Sequence, residues 1–185
     1  MGYLARDVAR IPGAGFEWFV FLLEDNWSDA LRNELADNFE NLAREVGPQV
    51  LAVRGFERGP FAAEVLAAYA LDHDPSGSRR LPALLIANQL PKDVKNDDPR
   101  VEKVKMILLP LDEQYIRPGS VSELLENVAR TLRDTDSVKS LQSLDRNRIE
   151  RHWGWLNRYV ELKPSFMGFG VNINEIIDSL IRRAS

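Results

Sequence analysis

Four short apolar runs set the frame for this chain: Phe16 to Glu24, Gln49 to Arg54, Leu81 to Ala87 and Val104 to Leu111. Each is too short to bury a helical face. Each is rich in branched or aromatic side chains, which is the pattern of buried strands. Between the first and second runs the period changes. Leu31, Leu35, Phe39, Leu42 and Val46 recur at steps of three or four residues, which puts them on one side of a helix. Ser28 can cap that helix, Asp29 suits its positive end, and Gly47-Pro48 stop it. A strand, a helix and a strand in this order predict two parallel strands joined by a right-handed crossover.

The same reading extends along the chain. Gly59-Pro60 open a second helix, with Phe61, Val65, Leu66 and Tyr69 on its apolar side. The loop from Asp72 to Gly77 ends it. Lys92 to Lys103 is a charged connection with no helical period, so the third and fourth strands are expected to be antiparallel. Ser120-Val121-Ser122-Glu123 is a capping box, and Val121, Leu124, Leu125, Val128 and Leu132 share a face behind it. The expected class is α/β, with a mixed sheet in the order β-α-β-α-β-β-α over residues 16–134. Residues 1–15 read as an N-terminal extension, punctuated by Ile11-Pro12-Gly13-Ala14-Gly15. Residues 135–185 read as an appendage. Leu156 to Leu162 and Phe166 to Ile173 form a hairpin about Lys163-Pro164-Ser165, and Asn174 caps a last helix.

Composition removes several classes of function. The chain of 185 residues has no cysteine, which excludes disulfides, thiolate nucleophiles and zinc-thiolate or iron–sulfur sites. It fits a reducing, cytoplasmic setting. A net charge of -4 gives no general attraction for nucleic acid. No apolar stretch is long enough for a membrane helix, and the N-terminus lacks the pattern of a signal peptide. No cofactor and no metal site are expected.

Leu81-Pro82-Ala83 and the element order over residues 16–134 together resemble the thioredoxin fold. In that family a proline, usually cis, stands just before the third strand and faces the start of the first helix; Pro82 has that place. The family's redox cysteines lie where the first strand meets the first helix. Here the matching stretch is Asp25-Asn26-Trp27-Ser28, so the resemblance implies the fold without the redox activity. A second resemblance covers Tyr159-Val160-Glu161-Leu162-Lys163-Pro164-Ser165-Phe166-Met167-Gly168-Phe169-Gly170-Val171-Asn172-Ile173-Asn174. This segment looks like a terminal segment of bacterial conflict (antiphage-type) proteins. It implies an adaptor that works through protein partners or a homo-oligomer. Its expected contacts are Tyr159, Glu161, Lys163, Phe166, Phe169 and Asn172.

Candidate chemistry is sparse. Asp25, Asn26, Trp27 and Ser28 end a strand and open a helix, where free N–H groups can take an anion or a carboxylate. Arg54, Pro82 or Arg80 can join such a ligand site. The plainer alternative is that Ser28 only caps and Trp27 fills a gap. Asp72, His73 and Asp74 are adjacent in a loop and do not converge on one ion unaided. Arg146, Arg148, Arg151 and His152 precede Trp153 and Trp155, a mixture that can bind single-stranded nucleic acid, although a solvated helix face explains it as well. Asp97 with Asp98, and Asp112 with Glu113, read as loop charge. No nucleophile elbow, phosphate loop or zinc-protease motif is present, and no catalytic residue is assigned. Two functions are therefore expected in turn: a non-redox protein-interaction module, or a sensor or enzyme for a small molecule or anion at Asp25 to Ser28.

Overall fold

The six residues Trp18–Leu23 are all apolar and all buried, and the rest of the molecule is arranged to cover them on both sides. A computed structural model describes residues 1–24, 29–69, 71, 81–94, 106–111 and 121–134. Its strands are β1 (Gly2–Ala5), β2 (Trp18–Leu23), β3 (Val50–Gly55), β4 (Ala83–Ala87) and β5 (Met106–Pro110). Its α-helices are α1 (Asp29–Glu45), α2 (Arg58–Ala68) and α3 (Val121–Arg133). The class is α/β. The five strands form one mixed sheet in the order β1-β3-β2-β4-β5.

Strands β1, β3 and β2 run parallel, as the helix between β2 and β3 requires. Strand β4 is antiparallel to β2, and β5 is antiparallel to β4. Side chains alternate across β2. Trp18, Val20 and Leu22 join Leu35, Phe39, Leu42 and Val46 of the α1 segment and Leu124, Leu125 and Val128 of α3 in one core. Phe19, Phe21 and Leu23 join Phe61, Ala62 and Val65 of α2 in the other. The sheet is therefore a middle layer, with α1 and α3 on one face and α2 on the other. A sheet buried on both faces needs continuous apolar strands, and this is why β2 and β4 show no polar alternation.

Two sequence expectations change. The N-terminal extension of residues 1–15 contains β1: Gly2–Ala5 pair with Ala52 to Gly55 and add an edge to the sheet. Four residues with no periodicity carry no strand signal of their own, and the free edge of β3 supplies it. Helix α2 begins at Arg58, ahead of the Gly59-Pro60 pair. Leu81–Pro82 is a cis peptide bond, directly before β4. The expected hairpin and final helix of residues 135–185 lie outside the described residues.

Candidate functional site

The carboxyl ends of β1, β3 and β2 lie together, and ligands of open α/β sheets favour this end. The last apolar strand residue, Leu23, pairs with Ala83, so Glu24 and Pro82 are the next residues at the same end. Glu24 is only 4% exposed. A buried carboxylate must be paired, and two guanidinium groups do this. Arg54 Nε donates to Glu24 Oε2 at 2.7 Å, and Arg54 Nη2 donates to Oε1 at 3.1 Å. Arg54 comes from β3, in register with Leu22 of β2. Arg58 comes from the first turn of α2 and holds Nη1 3.6 Å from Glu24 Oε1. That distance gives attraction without a hydrogen bond. Arg58 Nη1 is buried and has no hydrogen-bond partner among the described residues.

The structure thus brings together two of the residues expected at a ligand site, Arg54 and Pro82. It also gives Arg54 a partner: the fork of its guanidinium is taken by Glu24. Pro82 is buried. Asp25, Asn26, Trp27, Ser28 and Arg80 lie outside the described residues. Sequence reasoning missed Glu24 and Arg58. A signal for Glu24 did exist, as the charge that closes an otherwise apolar strand.

Beside this charged end is an apolar edge. Among the described residues, the large apolar side chains with the most exposed surface are Met1, Leu4 and Phe56. Leu4 is 58% exposed and lies on β1, paired in register with Arg54. Phe56 is 66% exposed and follows β3 by one residue. Its backbone N–H donates to the Ala5 carbonyl at 2.7 Å, which ties it to the end of β1. No strand among the described residues pairs with the outer edge of β1. An edge strand presents unpaired N–H and C=O groups, and exposed apolar side chains next to it favour another chain over water.

Other sequence candidates lie outside the described residues. These are the Asp72-His73-Asp74 loop, the Asp97-Asp98 and Asp112-Glu113 pairs, the Arg146 to Trp155 stretch, and Tyr159, Glu161, Lys163, Phe166, Phe169 and Asn172. Among the described residues, no group of three His, Asp or Glu side chains could hold a metal ion. No helix among them is long and apolar enough to cross a membrane. No family model, no curated protein and no solved structure matches the chain.

Proposed function

We propose that this chain is a non-redox protein-interaction module of thioredoxin-like architecture, an adaptor that binds its partner along the β1 edge of the sheet. The architectural part is supported by the order β2-α1-β3-α2-β4-β5-α3, by the antiparallel last strand pair, and by Pro82 directly before β4. The absence of cysteine removes the redox chemistry of that architecture. The observation that carries the interaction reading is the pair of exposed side chains Leu4 and Phe56, set beside an edge strand whose outer side no strand among the described residues pairs with. Strand addition uses backbone hydrogen bonds for affinity and flanking side chains for choice of partner. The resemblance of Tyr159 to Asn174 to segments of bacterial conflict proteins is the ground for expecting the partner in such a system.

The test compares the wild-type chain with a Leu4→Lys/Phe56→Lys variant of unchanged circular dichroism. Native mass spectrometry and affinity capture from a lysate of the producing cells are run on both. Loss of specific partners, or of self-association, in the variant is the expected result. Identical masses and identical captured proteins would overturn the reading. A Phe166→Asp/Phe169→Asp variant in the same comparison reports whether the appendage takes part.

A second reading has one observation behind it. Arg58 Nη1 is buried without a hydrogen-bond acceptor among the described residues, at the end of the sheet where Glu24 follows β2. That N–H suits a small oxyanion, and α2 has no side-chain cap of its own. Calorimetric titration with inorganic phosphate and with acetate tests it. Heat that disappears in Arg58→Met supports a ligand site; no heat with either anion removes it.

A further inference from the structure

We draw no further inference here: the strongest candidate, the buried Arg58 Nη1 in the Glu24–Arg54–Arg58 cluster where β2 and β3 leave the sheet, belongs to the site already described and lies 3.6 Å from the Glu24 carboxylate, which accounts for its placement.

Discussion

Arg54 grips Glu24 with both arms of its guanidinium, at 2.7 Å and 3.1 Å, where β3 and β2 leave the sheet. Arg54 is 15% exposed and Arg58 29%, against 4% for Glu24, so the carboxylate is the most deeply enclosed member of the group. One buried negative charge is balanced by two cations that keep some contact with water. Glu24→Gln is expected to destabilise the fold by about 2 kcal/mol or more, since it leaves the cations uncompensated. Glu24→Leu combined with Arg54→Met should cost less than the sum of the single changes, because a buried pair is replaced rather than broken. Urea unfolding of the wild type, Glu24→Gln, Glu24→Leu, Arg54→Met and the double variant checks both statements.

Tyr69 closes the second core. Its ring meets Phe21 edge-on, with centroids 6.2 Å apart, and its hydroxyl donates to the Gln89 carbonyl. Burial, and then the nearby Asp93 carboxylate, hold the phenol far above its ordinary value of 10.0. The folded state keeps the proton and the unfolded state releases it. The stabilisation is therefore complete below pH 10 and falls as pH rises above it. A phenol titration should show one tyrosine that ionises only when the circular dichroism signal collapses, and Tyr69→Phe should remove that component. The lost hydrogen bond in Tyr69→Phe should cost about 1 to 3 kcal/mol near neutral pH.

Gly55 ends β3 against Phe61 of α2. A Cβ at Gly55 would overlap the Phe61 Cβ and Cγ atoms, both closer than any ordinary contact. The first turn of α2 follows within three residues, so neither element can shift freely. Gly55→Ala is expected to cost about 1 to 3 kcal/mol by overpacking. Thermal unfolding measures it. Gly55→Ala with Phe61→Leu should recover part of the loss.

Leu4 and Phe56 make the contrasting case. Both are largely exposed, so Leu4→Ser and Phe56→Ser should each change stability by less than about 0.5 kcal/mol. Leu22 and Leu84, buried on the same sheet, should each cost about 2 to 5 kcal/mol on replacement by Ala. A urea series on dilute protein separates the two classes. Apolar side chains that add nothing to folding are free to serve contact with another chain.

Much of the sheet and its helices was legible in the sequence because each element carried its own period. The Leu35, Phe39, Leu42 and Val46 stripe marked α1, and these residues are buried together against Val20 and Leu22. The stripe Leu124, Leu125, Val128 and Leu132 marked α3 in the same way. The lack of a helical period between the third and fourth apolar runs correctly implied an antiparallel pair. The candidate site was legible only in fragments. Arg54 and Pro82 were singled out as residues near a strand end, but the partner of Arg54 was not.

What the sequence determined by itself was the local order: apolar strands, amphipathic helices, the turns between them, and a chain without thiol chemistry. These follow from side-chain periodicity and composition, which need no distant neighbour. The tertiary structure alone decided that Gly2–Ala5 is a strand, that Glu24 lies between Arg54 and Arg58, and that, among the described residues, Leu4 is exposed on the edge strand of the sheet. Each of these depends on register between segments far apart in the chain. An edge position, an ion pair or an exposed leucine is a property of which strands become neighbours, and no single segment encodes its neighbour.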